Sequence, residues 1–350
     1  MAEYKKSEAK EWAREKFRGL ENVLMPSLST QSIDEGTTTW NLDEEGIRHD
    51  VRECRLHRFF MTTAAIEGLP FMMMEYVMRD FWAIAVDEAG GRILVDAYIS
   101  QNTFDDTVAA AKLADEVGCD CIMLAYPPYF YPKSEEEIYE FTKAVCDEID
   151  IAVTVYPTHK YNFERFHPSS FSPHLLARIA EIENVVAMKM GVIDVSHATQ
   201  CFRMFGDKVL LGPPSPQFWN TYVPLCGQRW AGSVPYEAIQ DHDHQYLVDY
   251  FELLLEGKLD EAMDLYWRIL PGVEALQGLL DYTIYEGNYN FIHWKYIGWL
   301  AGFNGGPITL PTARLYEHQK DRLKSARAAI GLANREPEEE FYVGRVRYGD

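Results

Sequence analysis

The sequence predicts an α/β fold, a (β/α)8 barrel of the TIM type with a C-terminal helical extension, and three observations favour it. Strand-like and helix-like segments alternate about eight times over residues 20–250, which is typical of a parallel sheet with helical crossovers. Eight such units in about 230 residues fit a closed barrel better than an open sheet. After them, residues 246–332 carry helical patterns alone, which we interpret as three helices.

The predicted segments divide the chain into four parts. Residues 1–18 are expected to form a charged N-terminal helix, 19–245 the barrel, 246–332 the helical region and 333–350 a charged, loose tail. A Met-rich helix that includes Met72, Met73 and Met74 is expected over about 69–86. The eight strands are predicted at 23–25, 59–61, 93–98, 121–125, 151–156, 185–188, 209–212 and 230–234.

Composition and charge exclude several classes of function. Of 350 residues, 47% are hydrophobic and the net charge is −21, so an acidic surface would repel nucleic-acid phosphates and anionic lipid. The chain has no run of about 18 apolar residues, and Met1–Phe17 lacks the apolar segment of a signal peptide. We therefore expect a cytoplasmic protein that binds neither nucleic acid nor membrane.

Lys189 is the candidate nucleophile. It follows the unbroken apolar run Val185–Met188, which is typical of a strand buried on both faces. Burial disfavours the charged form of an amine and lowers its pKa, and a neutral amine can attack a ketone to form a Schiff base. The alternative is a lysine whose ammonium reaches solvent and pairs with an acid.

Residues at the carboxyl ends of barrel strands are expected to meet, because those ends surround a single site. A tyrosine near the amine can relay protons, and paired threonines can hold a carboxylate beside a keto group. This chemistry implies a 2-oxo acid substrate, either pyruvate or a pyruvate adduct. The strand-end residues are Thr62, Thr63, Tyr98, Tyr126–Tyr131, Tyr156, Lys189, Gly212 and Ser233.

Three stretches, in a characteristic order, carry a family resemblance. They are Pro128–Tyr139, Ala187–Asp194, and Gly305-Gly306-Pro307 with Pro311. From Gly19 to Leu332 the chain resembles the dihydrodipicolinate synthase/N-acetylneuraminate lyase family of class I aldolases. The resemblance implies a TIM-barrel enzyme that forms a Schiff base with a 2-oxo acid and assembles as a homotetramer or dimer.

The resemblance also implies a role for each matching side chain. Lys189 would be the imine nucleophile and Tyr156 the proton relay. Thr62 and Thr63 would together hold the pyruvoyl carboxylate and help the relay. Of the two, we expect Thr62 to be catalytic and Thr63 to bind the substrate. Ser233 would line the pocket below the imine, although a packed small residue fits that position equally well. Ordinary strand-end packing is the alternative for the threonines and for Tyr156.

The chain departs from the family pattern at two places near the expected site. Ala64-Ala65 stands where the family has Gly-Glu, which changes the loop backbone and removes a carboxylate. Phe130 stands where the synthases have an interchain relay tyrosine, so Tyr129 or Tyr131 would have to replace that hydroxyl. We therefore do not expect the usual relay between subunits.

The segment after Tyr156, the expected relay tyrosine, also departs from the family pattern. The synthases carry an arginine there, whereas this chain has His159 and Lys160 and no arginine until Arg165. Lys160 or His159 could take an anionic group, but neither offers the bidentate fork of an arginine. A role in lysine biosynthesis is therefore not expected.

The Asp241–His244 stretch suggests a metal site by composition. Four consecutive residues do not share one helix face, and acids suit the positive end of a helix dipole. We interpret this stretch as a solvated first turn. We expect neither metal nor cofactor, because imine catalysis by a lysine needs none.

Aromatic side chains replace the usual pocket, and aromatic walls suit a flat or apolar acceptor. We therefore predict a lyase that makes or breaks a C–C bond of a pyruvate-derived 2-oxo acid, with an aromatic aldehyde partner, near the family's hydratase-aldolases. Packing of loops is the alternative role of these rings. A 2-oxo-3-deoxy acid hydro-lyase with the same imine, and a non-catalytic barrel that binds a 2-oxo acid, stay open as other functions. The rings are Tyr98, Tyr126, Tyr129, Phe130, Tyr131, Tyr161, Phe163 and Phe166.

Overall fold

The barrel is described by a computed structural model that covers residues 3–29, 41–65, 75–286, 291–307 and 315–349. Eight parallel strands lie side by side in one sheet, in chain order, and the last returns to the first. Gly232 donates its N–H to Gly212 O at 3.3 Å and so joins the two remaining edges. The strands are β1 Gly19–Leu24, β2 Met61–Ala64, β3 Leu94–Ile99, β4 Cys121–Leu124, β5 Ala152–Val155, β6 Val185–Met188, β7 Leu210–Leu211 and β8 Trp230–Ala231.

Helices follow the strands and cover the barrel from outside, which confirms the predicted (β/α)8 architecture. A further two-residue antiparallel pair, Leu28–Ser29 with Asn41–Leu42, lies beyond β1. The helices are α1 Ala9–Lys16, α2 Glu44–Leu56, α3 Glu75–Ala89, α4 Phe104–Val117, α5 Glu135–Asp147, α6 Pro173–Ile179, α7 Val195–Phe205, α8 Trp219–Cys226, α9 Tyr246–Leu255, α10 Leu259–Glu286, α11 Phe291–Ala301, α12 Glu317–Ala329 and α13 Glu339–Val343.

Among the strands whose bounds differ from the prediction, β1 and β2 matter most for the site. β1 starts at Gly19 rather than at residue 23, because Glu21 and Asn22 are polar residues that the pattern assigned to a loop. β2 contains Thr62 and Thr63 instead of ending before them. Consecutive residues of a strand face opposite sides, so the two threonines cannot both face the lumen.

The lumen is apolar at its lower end and opens at the carboxyl ends of the strands. Trp12 and Phe17, in and just after α1, pack under the strands with Trp230. A second small cluster nearer the mouth contains Tyr98, Met123 and Tyr156. The chemistry-bearing side chains described below lie near this upper cluster.

The C-terminal part differs from the expectation in two respects. The described part of residues 246–332 contains four helices, α9 to α12, rather than three. The charged tail is packed and not loose, since Arg347 bonds Asp43 through Nε at 2.7 Å and Phe341 is buried. The expected Met-rich segment at 72–74 lies outside the described residues, and α3 begins after it. None of the helices in the described ranges is long and apolar enough to cross a membrane.

Candidate active site

Lys189 lies directly after β6 with its side chain inside the barrel. Its backbone N–H donates to Val155 O at 2.9 Å, which continues the ladder between β5 and β6 by one residue. The side chain is only 4% exposed, so the alternative of an ammonium reaching solvent does not hold. Its Nζ donates to Ser233 Oγ at 2.9 Å. The amine is therefore held by a hydroxyl from the segment after β8.

Glycines provide the space around this amine. A Cβ added at Gly232 would lie 2.5 Å from Lys189 Cγ, and one added at Gly191 would lie 2.7 Å from Tyr156 Cε2. Neither contact is possible in a relaxed structure, so these two positions require glycine for the lysine and tyrosine to sit as they do.

Tyr156, Tyr98 and a second lysine surround the amine. Lys189 Nζ lies 4.4 Å from the centroid of the Tyr156 ring, within the range of a cation–π contact. Tyr98 meets Tyr156 edge to face, with ring centroids 6.5 Å apart. Lys160 Nζ lies 5.5 Å from the Tyr98 centroid and 5.4 Å from that of Tyr156. Two tyrosines and two lysines expected at the site are thus brought together.

The two threonines are separated by the strand. Thr63 Oγ1 lies 3.1 Å from Ser233 Oγ, on the side of the amine. Thr62 Oγ1 instead accepts a hydrogen bond from the Cys54 thiol of α2 at 3.7 Å, outside the lumen. The expectation that both hydroxyls serve the substrate is not met, because a one-residue step along β2 reverses the side-chain direction.

Two buried acids, missed by the sequence reasoning, lie below the amine. The Glu21 carboxylate accepts a hydrogen bond from Thr63 Oγ1, and Asp96 pairs in register with Thr63 on the next strand. Desolvation raises the pKa of Glu21 to about 7, against the opposing effect of the Lys189 charge. Desolvation and the neighbouring Glu21 raise the pKa of Asp96 well above its usual range. An acid within the otherwise apolar run of β3 was the signal that could have revealed Asp96, whereas Glu21 lies beside the polar Asn22 and gave no such signal.

Glu21 also bears on one departure from the family pattern. The family's carboxylate after the paired hydroxyl residues is absent here, since Ala64-Ala65 occupies that place. In this structure the Glu21 carboxylate of β1 accepts the hydrogen bond of the Thr63 hydroxyl instead. Loss of Gly-Glu therefore does not leave that hydroxyl without an acid.

The loop aromatics form a packed cluster and not an open wall. Tyr126 stacks on Phe130 at 6.0 Å between ring centroids, and its hydroxyl lies 2.7 Å from Thr142 Oγ1. Phe163 is fully buried against the same rings. Tyr129 is 77% exposed at the tip of the loop and is not brought to the amine. Packing thus accounts for the buried loop rings, whereas Tyr129 and Tyr131 are exposed. The Tyr156 ring contacts Lys189, and Tyr98 packs beside it.

Two further candidates are placed away from the amine. Arg165 donates to Pro132 O at 2.6 Å and to Asn162 O at 2.7 Å, so its guanidinium is used within the loop. In the Asp241–His244 stretch, Asp241 Oδ1 accepts from the His244 backbone N–H at 2.9 Å, as in a capped turn. No group of three or more His, Cys, Asp or Glu side chains in the described ranges could hold a metal ion.

The fold and the buried amine define the class of protein: a (β/α)8 barrel with a lysine inside its carboxyl-terminal mouth. The model of the Dihydrodipicolinate synthetase family matches residues 71–329, and the chain belongs to this family. The resemblance inferred from the sequence is thereby confirmed, and it supports a lyase of the class I aldolase type.

Individual relatives agree with this assignment. The chain is 27% identical over 248 residues to the 4-hydroxy-tetrahydrodipicolinate synthase of Desulforudis audaxviator, covering 70% of this chain and 76% of that protein. It is 23% identical over 299 residues to the enzyme of the same name from Methanospirillum hungatei, covering 81% and 91%. These identities mark a divergent member.

Solved structures share the fold. The dihydrodipicolinate synthase of Aquifex aeolicus superposes with a TM-score of 0.74 at 19% identity, covering 91% of this chain and all of that one. A structure described as PhdJ bound to substrate intermediate gives a TM-score of 0.73 at 17% identity, covering 94% and 97%.

Proposed function

We propose that this protein forms a Schiff base between Lys189 and the keto carbon of a 2-oxo acid, and then makes or breaks the adjacent C–C bond. The observation that carries this proposal is the buried Lys189 amine, which donates to Ser233 at 2.9 Å and lies over the Tyr156 ring. A desolvated amine beside a phenol has the groups that imine formation and proton relay require.

Each remaining side chain has a distinct task in this mechanism. Tyr156 relays protons during carbinolamine formation and C–C cleavage, because its ring is the one in contact with the amine. Ser233 and Thr63, whose hydroxyl oxygens lie 3.1 Å apart, position the amine from below, Ser233 directly and Thr63 through Ser233. Thr63 and not Thr62 takes this task, since Thr62 bonds Cys54 on the outside.

The second substrate would enter beside Lys160. The Lys160 ammonium is half-buried at the mouth, close to both tyrosine rings, and can take an anionic or strongly polar substituent. The Tyr98 ring is 3% exposed, so the Lys160 ammonium and not this ring would meet the incoming aldehyde. An aromatic aldehyde is the partner we propose, since an ammonium binds the face of an aromatic ring, although the loop rings do not provide the larger wall expected from the sequence.

Borohydride trapping tests the imine. The protein is incubated with pyruvate and borohydride, and the intact mass is measured for wild type, Lys189→Met and Lys295→Met. Lys295 is the matched control, because it is also buried, at 5% exposed, but bonds Pro26 O and Pro307 O away from Ser233. We expect an adduct on wild type and Lys295→Met and none on Lys189→Met. An adduct on Lys189→Met, or none on wild type, contradicts the proposal.

Product analysis tests the bond that reacts. Pyruvate release is compared for arylidene-pyruvates, keto-sugar acids and 2-oxo-3-deoxy acids. Pyruvate with an aldehyde identifies C–C cleavage, whereas retention of all carbons with loss of water identifies a hydro-lyase. Turnover of none of them, with pyruvate still bound and untrapped, would identify a non-catalytic barrel.

A further inference from the structure

A continuous chain of hydrogen bonds leads from the Lys189 amine to a buried carboxylate. Lys189 Nζ donates to Ser233 Oγ at 2.9 Å, Ser233 Oγ lies 3.1 Å from Thr63 Oγ1, and Thr63 donates to Glu21. Thr63 uses its single hydrogen on Glu21, and the Ser233 hydroxyl, which accepts from Lys189, donates its hydrogen toward Thr63 or to Glu21 itself. Every hydroxyl in the chain therefore points its hydrogen toward Glu21, as expected around a negative charge.

The carboxylate and the amine are both removed from solvent. Glu21 is fully buried and Lys189 is 4% exposed. An isolated charge at such a place is costly, so either group favours a partner of opposite sign. The other titratable groups that act on Glu21 are Asp96 on β3, Cys121 on β4 and Tyr236 beyond β8.

Asp96 does not compete for the role of the charged partner. It is fully buried, and both burial and the adjacent Glu21 raise its pKa well above the usual range, so Asp96 is the one of the two acids that favours its protonated form. Glu21 has hydrogen-bond donors and the Lys189 charge to offset its burial. The geometry therefore favours Glu21 as the charged member of the pair, because the hydroxyls of Thr63 and Ser233 connect it to the Lys189 amine.

We infer that Glu21 is the counter-ion of the positive charge that Lys189 holds first as an ammonium and then as an iminium. The inference rests on the proposed imine function and assigns to it a positioning residue that does not touch the substrate. In imine formation, the lysine ammonium and the ketone give a protonated imine and one water, so the single positive charge is conserved. When a proton leaves the carbon next to the imine, the electron pair moves to nitrogen and the charge is neutralised.

The charge matters because a protonated imine is the electron sink. A carboxylate below it favours the protonated form and extends that form to higher pH. Without Glu21 the iminium would lose its proton at lower pH, and the enzyme would retain activity only under acidic conditions.

Exchange of the pyruvate methyl protons with deuterated water, followed by NMR across a pH series, measures this step without a second substrate. In Glu21→Gln the alkaline midpoint of the exchange profile should fall by about one pH unit or more, the size of shift that an opposite charge at short range produces. At pH values above both midpoints, exchange should fall about tenfold for each unit of that shift.

Two buried acids serve as matched controls. Asp96→Asn preserves a neutral group next to Glu21, and Glu237→Gln changes an equally buried acid that bonds Asn22 on the outer side of β1. Both should keep the wild-type midpoint. A shift in Asp96→Asn without one in Glu21→Gln overturns the inference, as does an unchanged midpoint in Glu21→Gln.

Two other outcomes are distinguishable. Wild type that neither exchanges pyruvate protons nor forms a borohydride adduct contradicts the imine function itself. A normal adduct with an unshifted profile in Glu21→Gln contradicts the counter-ion alone. Should Glu21→Gln fail to fold, Thr63→Val breaks the hydrogen-bond chain and should lower the same midpoint; an unshifted profile there overturns the inference.

Discussion

Gly232 leaves open the volume that the stem of Lys189 occupies. A Cβ at Gly232 would lie 2.5 Å from Lys189 Cγ, 3.0 Å from its Cδ and 3.2 Å from Gly212 O. Backbone on one side and a buried lysine stem on the other leave no room for even a methyl group. The position of the amine therefore depends on a residue that carries no side chain.

Gly232→Ala should displace the amine from Ser233 and slow imine formation at least tenfold, because small misplacements of a reacting group are costly. The rate of borohydride trapping with pyruvate measures this. Gly298→Ala is the control, since a Cβ there would meet Phe303 at 3.4 Å, far less severely. An unchanged trapping rate in Gly232→Ala would show that the lysine stem can adopt another path.

Tyr156→Phe should reduce C–C turnover by about 10²- to 10⁴-fold, the usual contribution of a positioned proton donor or acceptor. The ring stays in place over Lys189, so pyruvate binding should change much less than kcat. Steady-state kinetics on the best substrate gives both values. Tyr126→Phe is the matched control, because its hydroxyl bonds Thr142 within the packed loop cluster; equal losses in the two variants would remove Tyr156 from the relay.

Lys160→Met should raise KM about tenfold with a smaller change in kcat, because it removes a charged donor from the mouth and not from the imine. The effect should weaken at high salt, since the ammonium is partly exposed. Lys160→Arg should retain most of the affinity. Arg165→Met, whose guanidinium is bonded to loop carbonyls, should have none of this effect; a rise in KM there equal to that of Lys160→Met would assign the anion site elsewhere.

The buried Glu237 carboxyl should lower the free energy of unfolding as the pH rises. Desolvation raises its pKa to about 7 in the folded state from a usual value of 4.5, so between these values the folded protein binds a proton that the unfolded chain has lost. Stability is therefore lost with rising pH across that window. Glu237→Gln, which mimics the protonated acid, should gain up to about 3 kcal/mol at pH 8 and nothing near pH 4.

Urea unfolding at both pH values measures this difference. Glu183→Gln, a change of an exposed acid, should leave the pH dependence as in wild type. If Glu237→Gln followed the wild-type curve across the whole range, Glu237 would titrate alike in the folded and unfolded protein.

Arg327 connects the C-terminal helices to the barrel through hydrogen bonds. It is fully buried on α12, and its guanidinium donates to the carbonyls of Glu237, Gln240, Leu300 and Ala333. Arg327→Met leaves these carbonyls without their donor and should cost about 3–5 kcal/mol. The urea midpoint measures it against Arg335→Met, a change of an exposed arginine; similar midpoints would mean that water replaces the lost donors.

The barrel was predictable because each strand and helix of the β/α alternation has its own local signal. The apolar run Val185–Met188 placed Lys189 correctly at the end of β6. The first strand was placed late because Glu21 and Asn22, which face opposite sides of β1, look like loop residues in a linear pattern. The local sequence pattern thus predicted which strands and helices form, but it predicted their first and last residues less accurately.

The sequence predicted the position of a candidate site residue correctly where a single candidate follows a strand, as Lys189 follows β6. It did not decide between neighbouring candidates in one strand. Register alone decides that Thr63 faces the lumen and Thr62 faces Cys54, and a sequence does not show where β2 begins. The roles of Glu21 and Asp96 depend on contacts between β1, β2 and β3, and the loop rings pack on one another across a distance of many residues. The predicted homotetramer or dimer stays a prediction, which sedimentation of the purified protein would test.

The central claim is that one buried amine performs the chemistry. Peptide mapping by mass spectrometry, after reduction of the protein with borohydride in the presence of pyruvate, locates the modified residue directly. We predict a single pyruvate-derived adduct on the peptide that contains Lys189. An adduct confined to Lys160, Lys295 or surface lysines, with an unmodified Lys189, would contradict it.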